Sequence, residues 1–268
     1  MNKHVKRPGA VQLCTERTPR VAAARQLTKR AGRERAGRFL AEGAQAVREA
    51  LRYGQVYEVF VTEIAAARNS ELVDEARAAD VPVSTVTDRA ADGLSETVTP
   101  QGIVAVCELL DVSLDEALAE PKLVAVLVGV SDPGNAGTVT RVADAAGASA
   151  VIFAGDTVDP HNGKCVRAST GSVFHLPLAR SRNITAVFDA CRKAGLRLVA
   201  ADGHAKTDLT RVDLSQPTAW VFGSEAHGLD PEVLDAVDDV VNVPIFGKAE
   251  SLNLATAAAV CLYAGHLR

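Results

Sequence analysis

The chain has 268 residues, of which 47% are hydrophobic and 23% charged, with a formal net charge of −4, so it can form one large or two modest domains with real cores. No run of about 18 or more apolar residues occurs, and the opening MNKHVKRPGAVQLC has no apolar stretch after its basic residues; neither a membrane span nor a secretory signal is expected, and the cytoplasm is the expected compartment. The cysteines (Cys14, Cys107, Cys165, Cys191, Cys261) are scattered without CxxC spacing and the histidines form no HxxxH or HExxH pattern, which argues against a disulfide framework, a zinc site and metal catalysis.

Residues 1 to 16 read as a flexible basic arm. The arm opens a polarised charge distribution, because residues 1 to 52 hold 13 Lys/Arg against 4 Asp/Glu, and the remainder of the chain carries −13. TERTPRVAAARQLTKRAGRERAGRFL is therefore a basic segment on an acidic body. Its arginines suit phosphate, so an anionic partner is expected, nucleic acid ahead of a membrane surface; the plainer alternative is a solubilising helix. A basic helix is expected to about Arg35, then RFLAEG as a strand, AQAVREALRYG as an amphipathic helix, VYEVFVT as a strand, SELVDEARAAD as a helix, and VPVSTVT and GIVAVCEL as strands. Residues 17 to 110 thus form a small α/β domain, and the acidic stretch DVSLDEALAEP, 111 to 121, reads as a linker or short helix.

Residues 122 to 268 form a second unit with more deeply buried strands. LVAVLVGV, SAVIFAG, LRLVAA, TAWVFG and VVNVPI are continuous apolar runs bounded by Gly, Asp or Pro, the pattern of parallel strands covered on both faces. NAGTVTRVADAAG, ITAVFDACRKAG and LNLATAAAVCLYAGHLR supply covering helices, and ligands of such sheets sit beyond the carboxyl ends of the strands. Three of those ends are polar and glycine-bearing. GVSDPGNAGTVTR follows the first strand, with Asn135 placed to cap a helix; it lacks the GxxxxGK[ST] and GxGxxG patterns of phosphate loops. GSEAHGLDPEV follows TAWVF, and PIFGKAESLNLATAAAV leads into the last helix, which Ser251 is placed to cap. Convergence of these loops at one sheet edge implies a pocket.

The second unit resembles the SpoU (TrmH) family of RNA ribose 2′-O-methyltransferases of the SPOUT superfamily, which includes 23S rRNA and thiostrepton-resistance-type enzymes. The matching residues are N-A-G-T-V-T-R at 135 to 141, F-G-S-E-A-H-G-L at 222 to 229 and V-P-I-F-G-K-A-E-S-L-N-L-A-T-A at 243 to 257, with K-C-V-R-A-S-T-G-S-V-F-H-L-P at 164 to 177 as an intervening arginine and serine segment. RFLAEGAQAVREAL and SETVTPQGIVAV are similar to the L30e-like substrate-binding domain that precedes many members. The resemblance implies a mostly parallel α/β domain with a deep trefoil knot, a homodimer, and S-adenosylmethionine as cofactor, with no metal.

By the same resemblance, Arg141, Asn135, Glu225, Ser251 and Asn253 are the catalytic set, and Ala201, Gly223, Ser224, Gly228, Val243, Ile245, Leu252 and Leu254 hold the cofactor. Arg141 is expected to bind phosphate and orient the ribose hydroxyl, since a guanidinium is a poor base. Asn135 would hold the arginine or the ribose, and Glu225 would orient Arg141 or the substrate. Arg167, with Arg30, Arg33 and Arg38 of the basic segment, is expected to contact RNA. Ribosomal RNA is preferred as substrate, with transfer RNA as the alternative; a non-catalytic RNA-binding module and a nucleotide-hydrolysing α/β enzyme are the readings from other classes. The retained motif residues speak against the module, and the lack of a phosphate lysine and metal carboxylates at matching strand ends speaks against the hydrolase.

Overall fold

The computed structural model describes residues 13 to 267, so the first 12 residues of the expected arm lie outside the described residues. The remainder of that arm is pinned: the Cys14 N–H donates to the Thr85 carbonyl at 2.8 Å and the Thr87 N–H to the Cys14 carbonyl at 3.0 Å. The expected basic helix is broken into α1 (Pro19–Arg25), a 3₁₀ turn (Gln26–Thr28) and α2 (Arg30–Ala36). Gly32 lets α2 fold back on that turn, since a Cβ there would stand 1.9 Å from the Gln26 carbonyl oxygen.

Then follow β1 (Arg38–Glu42), α3 (Ala44–Tyr53), β2 (Val56–Val61), α4 (Glu63–Arg68), α5 (Ser70–Ala78), β3 (Val83–Thr85), α6 (Asp88–Asp92) and β4 (Ile103–Glu108). Among the described residues these strands form a sheet of order β1-β4-β2-β3, with β4 antiparallel to both neighbours. Strand alternation sorts the side chains: Phe39, Ala41, Ile103 and Ala105 enter one core, while Leu40, Phe60, Val104 and Val106 enter another with Leu27 and Leu94.

The stretch expected as a linker belongs to the second sheet. Asp111–Val112 is β5, parallel to the later strand at Leu178, and Ser113 starts α7 (Leu114–Ala117) with a capping box closed by Glu116. A two-residue strand carries no periodicity to read, whereas the Ser113-x-x-Glu116 spacing was legible. The chain continues through β6 (Leu123–Val128), α8 (Pro133–Ala145), β7 (Ala150–Ala154), α9 (Gly163–Ser169), β8 (Leu178–Ser181), α10 (Ile184–Lys193), β9 (Arg197–Ala201), β10 (Thr207–Asp208), β11 (Thr218–Phe222), α11 (Pro231–Asp235), β12 (Asp239–Asn242) and α12 (Leu254–Ala264).

The second sheet has the order β10-β12-β9-β11-β6-β7-β8-β5 among the described residues, and its strand pairs are parallel. Leu127, Phe153, Trp220 and Phe222 pack on one face with Val139 of α8 and Ala258 and Leu262 of α12; Val126, Ile152, Leu198 and Val221 pack on the other with Val187 and Phe188 of α10. Burial on both faces is why these strands read as unbroken apolar runs.

The two units share a core, in which Phe39 stacks on Phe174 with ring centroids 5.8 Å apart. Charged groups key the docking. Arg33 is 3% exposed; its Nε and Nη2 donate to Asp159 Oδ2 at 2.9 and 2.7 Å, and its Nη1 donates to the Leu27 and Thr28 carbonyls at 3.0 Å each. Arg33 is therefore a strut between the units, and the expectation that it touches RNA is corrected: its donors are consumed and it is sealed from solvent. Burial would raise the Asp159 carboxyl, but hydrogen bonding and charge from His161, together with the Arg33 charge, hold it well below the usual carboxylate range. Arg167 is also drawn into this seam, donating from Nη1 to the buried Glu42 at 2.9 Å, so it is not a free phosphate ligand as expected. Arg30 and Arg38 stay exposed, the first paired with Glu34 and the second stacked 3.7 Å over the Tyr57 ring.

Candidate active site

The carboxyl ends of β9, β11 and β12 open into a cleft of about 350 Å³. Its lining includes each residue expected to hold a cofactor: Ala201 at the end of β9, Gly223, Ser224 and Gly228 after β11, and Val243, Ile245, Leu252 and Leu254 between β12 and α12. Asp202, His204, Phe222, Glu250 and Ser251 complete much of the wall. Asp202 and His204 were not anticipated from the sequence; the Asp202-Gly203 turn directly after an apolar run is the signal that could have found them.

The loop after β11 is closed on itself. The Ser224 N–H donates to the Gly228 carbonyl and the Gly228 N–H to the Ser224 carbonyl, both at 2.9 Å. Gly228 takes a left-handed φ of 68°, and a Cβ on Gly223 would stand 2.4 Å from the Gly228 carbonyl. Gly223 is thus required by backbone approach and Gly228 by its left-handed φ, and together they set the path of the loop along the cleft.

A chain of side-chain amides spans the rim. Asn253 caps α12, its Oδ1 accepting from the Ala255 N–H at 2.9 Å and the Thr256 N–H at 3.3 Å. Its Nδ2 donates to Asn135 Oδ1 at 3.1 Å, and Asn135 Nδ2 donates to Glu225 Oε1 at 3.0 Å. The polarity of this chain is set at both ends. The α12 N–H groups demand an acceptor from Asn253, and an ionised carboxylate at Glu225 can only accept, so Asn135 must turn its NH₂ to Glu225 and its oxygen to Asn253. Each amide keeps one unused hydrogen for a ligand.

Two expectations about caps are corrected. Ser251 does not cap the last helix; it is exposed on the cleft wall, and α12 starts three residues later because Asn253, with a shorter path to the free N–H groups, takes that role. Asn135 does not cap α8 either. Asp132 does, accepting from the Asn135 N–H at 2.8 Å, while its other oxygen holds Lys164 Nζ at 2.5 Å. The Lys164 ammonium and the Asn135 N–H depress the Asp132 carboxyl below its ordinary range.

Arg141 lies on α8 two turns beyond its start and is exposed, its Nη1 donating to Thr170 Oγ1 at 3.3 Å. Among the described residues it has no carboxylate in ion-pair range, so the expectation that Glu225 orients Arg141 is corrected: Glu225 holds Asn135 and receives the Ser131 N–H at 3.4 Å. A guanidinium left unneutralised in this way is available to an anion. No group of His, Cys, Asp and Glu able to hold a metal ion occurs among the described residues.

The mostly parallel α/β sheet whose strand-end loops build one cleft, preceded by a small mixed-sheet unit, is the architecture this chain shares with solved SpoU methyltransferases that carry an N-terminal substrate-binding domain. Residues 122–263 match the SpoU rRNA Methylase family and residues 18–105 match the MRM3-like substrate binding domain. The chain belongs to the SpoU rRNA methylase family. It is 33% identical over 258 residues to the 23S rRNA (guanosine(2553)-2'-O)-methyltransferase RlmP of Bacillus subtilis, covering 96% of this chain and 99% of that one. Among solved structures it is similar to the AdoMet-bound rRNA methyltransferase of Sinorhizobium meliloti, with 31% identity, a TM-score of 0.83 and coverage of 97% and 98% of the two chains. The SpoU methyltransferase AviRb of Streptomyces viridochromogenes in complex with AdoMet gives 32% identity, a TM-score of 0.83 and coverage of 93% and 97%.

Proposed function

We propose that this protein transfers the methyl group of S-adenosylmethionine to a ribose 2′-hydroxyl of 23S rRNA. The observation that carries this reading is the Asn253–Asn135–Glu225 chain on the rim of the cleft, with an unneutralised Arg141 on the same helix as Asn135, in a chain that aligns along nearly its whole length with a 23S rRNA 2′-O-methyltransferase. The cleft fits the cofactor on its own terms: its volume is that of a small-molecule site, and its wall combines the apolar Val243, Ile245, Leu252 and Leu254 with the polar Asp202, His204, Ser224 and Glu250. When bound, S-adenosylmethionine supplies a methyl group already activated on a sulfonium, so the protein has to orient the nucleophile and help remove one proton.

Arg141 binds an RNA phosphate and aligns the hydroxyl; a guanidinium offers donors and no acceptor, so it acts by binding and orientation. Asn135 and Asn253 offer their spare amide hydrogens to ribose oxygens, and Glu225 fixes Asn135 in the orientation that points those hydrogens outward. Ser251 supplies a hydroxyl on the cleft wall. Arg30 and Arg38, exposed on the first unit, are the remaining candidates of the basic segment for RNA phosphate, and an rRNA substrate is in keeping with a cytoplasmic location.

The second copy of a homodimer would cover the outer face of α12. That helix carries no charged residue, and Val260 on it and Phe246 before it are exposed. A knot would arise from threading the segment between β12 and α12, and what supports it is that the last helix packs on α8, the first long helix of the unit, against the middle of the sheet. The experiment for the main reading is methyl transfer from labelled S-adenosylmethionine to 23S rRNA, followed by mapping of 2′-O-methyl sites in RNA from cells with and without the protein. Labelling of transfer RNA in place of 23S rRNA would overturn the substrate, and no labelling of either would overturn the activity.

A further inference from the structure

We propose that Thr170 is a positioning residue for Arg141; this rests on the reading of Arg141 as the residue that aligns the ribose hydroxyl. Thr170 ends α9 in the left-handed region, with φ 54° and ψ 30°. A β-branched side chain there is strained, and helices usually place glycine or asparagine at such a terminus. The helix end does not need this side chain, since the capping contact is the Thr170 backbone N–H to the Arg167 carbonyl at 3.1 Å, which any residue but proline supplies. Packing does not need it either, because Thr170 is exposed.

What glycine lacks is the hydroxyl, and that hydroxyl accepts from Arg141 Nη1 at 3.3 Å. The encounter is built by backbone packing. At Gly137 a Cβ would stand 2.2 Å from the Cys165 carbonyl oxygen and 2.8 Å from the Ala168 Cβ, so the main chains of α8 and α9 pack against each other at that level. Arg141 lies one turn further along α8, and the end of α9 reaches it there. A long guanidinium side chain loses rotamer freedom when fixed, and pre-ordering it removes part of that cost from the reaction. A hydroxyl does this without cancelling the charge, as a carboxylate would, and leaves the other N–H groups of the fork for phosphate and ribose.

The test compares Thr170→Gly, Thr170→Ser, Arg141→Ala and the Arg141→Ala/Thr170→Gly double variant, with 23S rRNA from cells lacking the protein and labelled S-adenosylmethionine. Thermal midpoint, cofactor affinity, KM for RNA and kcat are measured for each. Thr170→Gly should melt at or above the wild-type temperature and bind cofactor unchanged, yet lose about tenfold in kcat, the size of one charge-assisted hydrogen bond. Thr170→Ser should recover most of that loss, and the double variant should be no slower than Arg141→Ala. Wild-type kcat in Thr170→Gly alongside a crippled Arg141→Ala overturns the proposal alone. Wild-type kcat in Arg141→Ala overturns the reading of Arg141, and the role of Thr170 with it.

Discussion

Asn135 and Glu225 stand 90 residues apart in the chain, yet the side-chain amide of the first donates to the carboxylate of the second at 3.0 Å. The contact joins the first turn of α8 to the loop after β11, and β6 and β11, the strands that lead into them, are adjacent and parallel in the sheet. The orientation of Asn135 follows from this pair together with the Asn253 amide, which the α12 N–H groups hold on its other side.

Replacing Asn135 by Asp sets a carboxylate against Glu225 where an NH₂ group stood. Turnover should fall by about a hundredfold or more, because the donor is lost and the acceptor beside it is repelled. Cofactor affinity should hold, since Asn135 does not line the cleft. Methyl transfer and equilibrium binding of S-adenosylmethionine, measured on the same preparation, check both halves.

Arg141→Ala and Arg141→Lys should both lose turnover. The alanine variant is expected to drop about a hundredfold in kcat, and lysine should restore the charge without the planar fork. Circular dichroism should report an unchanged fold, because Arg141 is exposed and its side chain bonds, among the described residues, to Thr170.

Gly223→Ala pushes a methyl group into the Gly228 carbonyl, 2.4 Å from the added carbon. The loop must open, breaking the paired hydrogen bonds between Ser224 and Gly228, at a cost of about 1–3 kcal/mol in stability. Cofactor affinity should fall at least about tenfold, as titration calorimetry would show; unaltered affinity would mean that this loop does not hold the cofactor.

Arg33→Ala strands Asp159 in the seam between the units and should cost about 3–5 kcal/mol in urea unfolding, with little change in the salt dependence of RNA binding. Arg30→Ala and Arg38→Ala should do the reverse, leaving stability nearly intact and lowering the salt slope by about one each where a phosphate contact is lost. A lowered salt slope in a folded Arg33 variant would return that residue to the RNA surface.

His175 ties the units together through Asp144 at 2.8 Å and Glu49 at 3.2 Å. Burial lowers its pKa, but the hydrogen bonds to the two carboxylates outweigh it, and the net shift is upward from 6.5. A raised folded-state pKa means that the protonated pair stabilises fully below about pH 6.5 and is lost as pH rises through the folded value. Stability measured across this window should decline in the wild type and decline less steeply in His175→Ala.

The apolar runs from 123 to 128, 150 to 154, 198 to 201 and 219 to 222 announce their strands because burial on both faces leaves little room for polar residues, and the glycine-bearing loops at the strand ends carry the family's motifs. Local pattern therefore sufficed to name the fold class and the residues around the cleft. Whether an arginine in a basic segment is solvated or sealed is another matter: Arg33 and Arg30 are indistinguishable by sequence, and Asp159, 126 residues further on, decides between them. The same holds for the cap of α12, taken by Asn253 over Ser251, for the edge strand at Asp111, and for the Thr170 hydroxyl beside Arg141. These depend on which elements the sheet order and the docking of the two units bring together. A side chain's period along the chain encodes the face it lies on, but the group it meets there is set by segments remote in sequence, and only the folded chain brings them within bonding distance.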